Sequence, residues 1–300
     1  MPGNMTTQPN IFTRIFLTPA EPRLRAGWRI LIMTILMIGL LILMSPLVIL
    51  TLFIDLDADM LLFISALMAA VSYTGAVLIT RIFIDRRTIK SLGLPLGRKA
   101  IWDILVGICL AAGLMLFTFL VMLAAGWLEW NGTSFENLPV NEIIIKIVLA
   151  ALTFFLVGWG EELIMRGYLL VNIRDGINLF WAVCFSSVIF AFAHGINPGF
   201  SFSALVGLFL AGLFFAFAAL RSKGLWLPIG IHIGWNFFEG TFFGFSVSGM
   251  ETFRLFKPVI VGSDLWTGGS FGPEAGLILI PTLLIGTALV YLYTRKRIHE

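Results

Sequence analysis

Two adjacent carboxylates and a guanidinium stand inside an apolar stretch of this chain: Glu161, Glu162 and Arg166 in the run GWGEELIMRGY, Gly158 to Tyr168. The residues leading into it, Ile143 to Val157, carry only Lys146 as a charge. A charge at the centre of a bilayer costs about 2.5–3.5 kcal/mol on insertion scales, so such residues are candidates for function. On a helix, about 100° of rotation per residue brings Glu162 and Arg166 together at i,i+4, where they can pair. Glu161 lies on another face. An ion pair that merely holds helices together accounts for Glu162 and Arg166 and leaves Glu161 needing a partner elsewhere.

Three histidines occur, and His299 sits in the charged tail. His194 closes FAFAH one turn after Phe190, and His232 opens HIGWN one turn before Asn236, on the same face. A lone buried histidine is more often a satisfied core residue than a catalyst. Here Glu161, His194, His232 and Asn236 fall on three apolar runs, each needs a polar partner, and the cheapest arrangement is for them to meet. Together they have the chemistry of a hydrolase. A carboxylate withdrawn from water and hydrogen-bonded to imidazole is a general base for a water molecule. Imidazole and carboxamide N–H groups can stabilise the oxyanion of a tetrahedral intermediate. Glu161, His194 and His232 equally suit a catalytic zinc with water in the fourth position, and the residue types leave both routes open. HExxH, GxGD and GxSG are absent; the nearest approach, Ser246-Val-Ser248-Gly249, lacks the first glycine.

The elements that must position these groups are apolar. Of 300 residues, 59% are hydrophobic and 12% charged, with mean hydropathy +0.97, which excludes a water-soluble domain. Runs of about 20 apolar residues read as spanning helices. They cover roughly 30–54, 60–84, 102–126, 143–170, 178–196, 203–220, 225–247 and 275–294, so the expected fold is an all-α, polytopic transmembrane bundle of about eight spans. Residues 1–29 form an N-terminal segment in which IFTRIFLT, 11–18, suits a short interfacial helix. Residues 30–142 carry the first three spans, 143–247 the four-helix core with the candidate residues, and 248–300 a long loop, the last span and a basic tail. Arginine and lysine alternate with acidic loops: Arg14, Arg23, Arg25 and Arg29 precede the first span, whereas Asp55, Asp57 and Asp59 follow it. This places both termini in the cytoplasm and the loop 248–274 outside. The net charge of +3 sits at span ends and gives no case for nucleic acid. Cys109 and Cys184 lie in apolar runs, with no disulfide framework.

EExxxR at Glu161–Arg166, FxxxH at Phe190–His194 and HxxxN at His232–Asn236, in that order on successive helices, resemble the CPBP family. That family comprises CAAX prenyl endopeptidases of the Ras-converting type and bacteriocin-processing or immunity relatives of the Abi group. Each motif is weak alone; the three in order are specific, and they cover about residues 143–247. The resemblance implies an intramembrane endopeptidase with a CAAX-endopeptidase-like core, labelled a metalloprotease although a metal-free glutamate route has been argued. It implies Glu161 and His194 as water activators and His232 with Asn236 at the oxyanion. Glu162, Arg166 and Phe190 are then supporting residues, and zinc, if used, is held by Glu161, His194 and His232. The implied partners are the lipid bilayer and a membrane-anchored or juxtamembrane protein or peptide, and the implied location is a bacterial plasma membrane. Two other readings compete: a non-catalytic scaffold or bacteriocin-immunity factor of the same family, and a transporter whose charges relay protons. The second of these lacks paired broken helices in repeated halves.

Counting along helices gives one disagreement. Glu161 lies roughly 27 Å from the outer end of its span, but His194 lies roughly 24 Å from the cytoplasmic side and His232 only roughly 10 Å. A short fifth span, beginning near Trp181 or later, and a buried NPG loop in GINPGFSF are the expected remedies.

Overall fold

A computed structural model describes residues 10–18, 21, 23–51 and 53–298; His299 and the first nine residues lie outside them. Every long apolar run becomes a helix. A short α1 (Ile11–Phe16) stands where an interfacial helix is expected. It is followed by α2 (Ala26–Thr51) and α3 (Ala58–Ile79), the latter continued by a π-helical segment, Thr80–Ile84. After α4 (Arg98–Ala124) comes α5 (Val140–Glu162), which passes through a second π-helical segment, Leu163–Leu169, into α6 (Leu170–Gly176). The remainder is α7 (Leu179–Ala193), α8 (Phe202–Ser222), α9 (Trp226–Asn236, extended by a π-helical turn Phe237–Phe242), α10 (Asp264–Thr267) and α11 (Leu279–Thr294). Among the described residues, five stretches are long and apolar enough to cross a membrane: 26–51, 58–84, 98–124, 140–176 and 202–222. Helices α7 and α11 are apolar but shorter. The chain is a helical membrane bundle.

Helix α9 is its axis. All of Leu227 to Asn236 is buried, as expected of a helix apolar all round. Its neighbours come close because glycines let them: a Cβ on Gly230 would stand 2.4 Å from the Ile104 carbonyl oxygen of α4, and one on Gly107 2.6 Å from the Ile231 nitrogen. Lipid gives no hydrophobic drive between helices, so association depends on such close backbone contact. Helix α2 is the opposite case, with Leu31, Ile35, Ile42 and Leu47 exposed along what is a lipid-facing side in a bilayer.

Two features outside the helices were not anticipated. β1 (Leu128–Thr133) and β2 (Phe256–Ile260) pair antiparallel, Leu128 opposite Ile260, with a bulge between Trp130 and Thr133. The segment 243–278, of which 248–274 was expected to be an external loop, folds back on the bundle and buries Phe243, Phe245, Phe271 and Ala275. It is tied to the turn after α7, where Asn197 Nδ2 donates to the Ser248 carbonyl at 2.8 Å. Its Phe253 N–H reaches Asp59 Oδ1 at 2.9 Å. Asp57 and Asp59 in turn hold Lys146 Nζ at 2.8 and 2.9 Å, and the Lys146 hydrogen bond holds the Asp57 carboxyl below its usual range.

Candidate active site

Glu162 ends α5 with its side chain fully buried, which is tolerable only because donors meet it. Its Oε1 accepts from Arg166 Nη1 at 2.7 Å, the i,i+4 pair read from the sequence, and from His232 Nδ1 at 3.1 Å. Arg166 also donates from Nη2 to the Gly212 carbonyl at 3.0 Å. Its guanidinium lies 4.7 Å from the Phe190 ring centroid and 5.1 Å from that of Phe215, and Phe215 stacks on His232 with centroids 4.8 Å apart. Glu162 therefore does more than satisfy Arg166: it fixes the His232 ring. That contact crosses from α5 to α9 and left no trace in the spacing.

Glu161, one residue earlier, has no such company. Its Oε2 is buried without a hydrogen-bond partner and stands 3.9 Å from Nε2 of both His194 and His232. His194 Nδ1 lies 2.9 Å from the Phe190 carbonyl, which can only accept, so Nδ1 carries a proton and Nε2 is the nitrogen that faces Glu161. Phe190 thus serves His194 through its backbone and Arg166 through its ring. Three elements converge on one water-sized gap; a water with hydrogen bonds of about 2.8 Å bridges groups so spaced. Asn236 is buried, lines the same cavity as these three residues, and its side chain has no protein hydrogen bond among the described residues. All four residues singled out for chemistry are thereby brought together.

The depth disagreement resolves differently from expectation. Helix α7 is short, at 15 residues, but begins at Leu179 rather than at Trp181 or later. Glu161 and His194 each lie about 22 Å along their helices from the adjoining ends Gly176 and Leu179, so these two agree. His232 is the outlier, about 9 Å into α9, and its contact with Glu161 requires α9 to start deeper than α7. Its first turn is tied to the loop before α4: Leu225 N–H donates to the Gly93 carbonyl at 2.7 Å, and Trp226 Nε1 to that of Pro95 at 2.7 Å.

Two imidazole nitrogens and a carboxylate oxygen are a donor set that zinc accepts, and each ring is held by its other nitrogen in the manner of metal-binding histidines. The spacing does not follow. Ligands of a tetrahedral zinc stand about 3.3 Å apart, against 3.9 Å from Glu161 to either ring, and among the described residues no three such groups gather closely enough to hold a metal. The side chains as arranged do not fit zinc, and no step below is routed through it.

The cavity is about 420 Å³ and is otherwise largely apolar, with the first half of α2 forming one wall. Two buried carboxylates escaped the sequence reading, and one of them, Glu274, lines the cavity. Glu274, between α10 and α11, is 5% exposed, and its Oε2 accepts from the N–H and the hydroxyl of Ser248. Burial pushes the Glu274 carboxyl above its usual range, while the Ser248 hydrogen bonds and the fields of His194 and His232 act against that. Nothing local marks Glu274, whose partner lies 26 residues earlier. Glu239, fully buried with neither oxygen hydrogen-bonded, did leave a signal: His232, Asn236 and Glu239 follow i, i+4, i+7 spacing.

No curated protein matches the chain. The family comparison is informative where the geometry is: residues 143–238, the third of the chain that contributes Glu161, Glu162, Arg166, His194, His232 and Asn236, match the family model described as type II CAAX prenyl endopeptidase Rce1-like, the family to which the three motifs point.

Proposed function

We propose that the protein is an intramembrane endopeptidase that hydrolyses peptide bonds of membrane-associated proteins or peptides. The observation that supports this best is the single carboxylate oxygen of Glu161, unpartnered and equidistant from two imidazole nitrogens whose other sides are fixed. A water held there gives a proton to Glu161 while its oxygen attacks the scissile carbonyl; His194 Nε2 orients that water. Asn236 donates to the oxyanion, and His232, whose Nδ1–H is taken by Glu162, joins it from Nε2 when the ring carries both protons. Collapse of the tetrahedral intermediate returns the proton from Glu161 to the departing amine. Both termini are cytoplasmic in this reading. Exposed Phe192, Ile196 and Phe202 around the NPG turn are suited to lipid, which keeps that turn within the membrane envelope. A cysteine replacing Ile196, in a chain without Cys109 and Cys184, should resist impermeant external reagents.

The test compares membrane proteomes of cells carrying the wild type and Glu161→Gln, which removes the base and keeps the shape. Shortened peptides confined to the wild type are expected. Identical peptide sets, with both proteins equally abundant, would sink the endopeptidase reading and leave a scaffold role.

A further inference from the structure

Apart from His194 and His232, the ionisable groups that line the cavity are all acidic. Glu161 and Glu274 both line it, and no lysine or arginine is among its lining residues. Glu274 is more than nine-tenths buried, yet only its Oε2 is engaged, and Oε1 has no partner among the described residues. The segment is shaped to present this group. Ser248 adopts φ +46°, a costly conformation for a residue with a side chain, and from it directs both N–H and hydroxyl to Glu274. Gly272, two residues before Glu274, has φ +105°, and a Cβ there would stand 2.1 Å from the Ser246 carbonyl oxygen. Strain and close approach at two places, both spent on holding one carboxylate at the wall of an apolar cavity, mark a built subsite rather than a solvated loop residue.

Glu274 has no permanent counter-charge: the only groups of the cavity that can become cationic are the imidazoles of His194 and His232. An arriving ammonium or guanidinium provides one; an arriving carboxylate adds a third like charge in a low-dielectric space. Glu274 lines the same cavity as Glu161, His194 and His232, so a group bound to it shares that space with the bond that Glu161 attacks. We propose that Glu274 is a specificity-determining residue that receives a basic side chain, lysine or arginine, beside the scissile bond, and that the cavity disfavours a free C-terminal carboxylate there. This rests on the endopeptidase reading for the word substrate, and on the cavity alone for the preference of cation over anion.

The experiment therefore has two arms, both on full-length protein in lipid nanodiscs. In the first, a library of apolar peptides with Lys, Gln or Glu placed on either side of the scissile bond is digested and cleavage sites are read by mass spectrometry. The wild type should favour Lys over Gln at one position by at least tenfold, chiefly through KM. Glu274→Gln should erase that ratio and Glu274→Lys should shift it toward Glu. An unchanged ratio in Glu274→Gln overturns the proposal. The second arm needs no catalysis: dodecylguanidinium, dodecanol and dodecanoate are compared as thermal stabilisers of Glu161→Gln protein and of the same protein with Glu274→Gln. Selective stabilisation by the guanidinium that Glu274→Gln removes is expected. Equal effects of the three amphiphiles overturn the subsite whether or not any peptide is cut. Absence of cleavage with guanidinium selectivity intact discards the endopeptidase reading and keeps the cation site.

Discussion

Two buried arginine–carboxylate networks stand in this bundle, and only one of them borders the cavity. At the first, Glu162 accepts from Arg166 and from His232. At the second, Asp85 is fully buried, 2.8 Å from Arg81, 3.8 Å from Arg29 and 3.2 Å from the Tyr168 hydroxyl. The parallels are close. Each has an i,i+4 ion pair, and each pair has its arginine in a π-helical segment, Arg166 in Leu163–Leu169 and Arg81 in Thr80–Ile84. Such segments recur at functional positions, but here they accompany both networks and so do not tell them apart. The distinguishing feature is Glu161, adjacent to the first network and satisfied by neither. A paired charge in low dielectric is architecture; a carboxylate left unpaired among oriented imidazoles is what a reaction needs.

The contrast can be broken at either end. The largest effect belongs to Glu161→Gln, which should lower peptide hydrolysis about 10²- to 10⁴-fold with an unchanged melting profile, read by turnover assay and scanning fluorimetry on the same preparation. Asp85→Asn should do the reverse. Removing one partner of a buried pair costs on the order of 3–5 kcal/mol, so unfolding in mixed micelles should come much earlier while turnover per folded molecule stays the same. Loss of turnover in the surviving fraction would mean that the second network also shapes the site. Glu162→Gln sits between them, keeping an acceptor oxygen but leaving the buried Arg166 without its counter-charge at a cost of about 1–3 kcal/mol, with some loss of kcat because His232 is less well held. Smallest is the partly exposed cluster of Lys146 with Asp57 and Asp59, where Lys146→Ala should cost about 0.2–1 kcal/mol. Asp57 has a lowered folded-state pKa, so its stabilisation is present above the ordinary aspartate value near 4 and is lost as pH falls through the lowered one. A thermal-shift titration from pH 6 to 3 should show a slope that Lys146→Ala flattens.

What the sequence revealed and what it hid divide along the range of the interactions. The Glu162–Arg166 pair is a local matter of helical spacing, and it forms as the 3.6-residue repeat requires. Each of the eight apolar runs yields a helix, five of them long and apolar enough to cross a membrane, and a helix satisfies its own backbone. The π-helical segments were invisible because an apolar run reads alike with either winding. Helix counting put His194 at odds with the others, because it assumed that every span starts at the same depth, and α9 starts recessed on Gly93 and Pro95. Ser248 drew attention only as a failed GxSG, whereas its role depends on Glu274 far along the chain. The β1–β2 pair escaped because Asn131-Gly132 interrupts any alternation in the first strand.

The return of segment 243–278 onto the bundle has a consequence in time. Translation delivers Glu161, His194, His232 and Asn236 before Ser248 and Glu274, and the last helix follows them. If spans enter the bilayer in order, the reacting groups are in place while one wall of the enclosure is still in the ribosome. A nascent chain at that stage exposes Glu239 and the glycine-lined flank of α8, where Gly207 meets the Glu274 carbonyl oxygen, to lipid or to the insertion machinery. Chains truncated between Glu239 and Ser248 should therefore be held by membrane chaperones and be cut readily by quality-control proteases, whereas chains released after α11 mature together with their own enclosing wall.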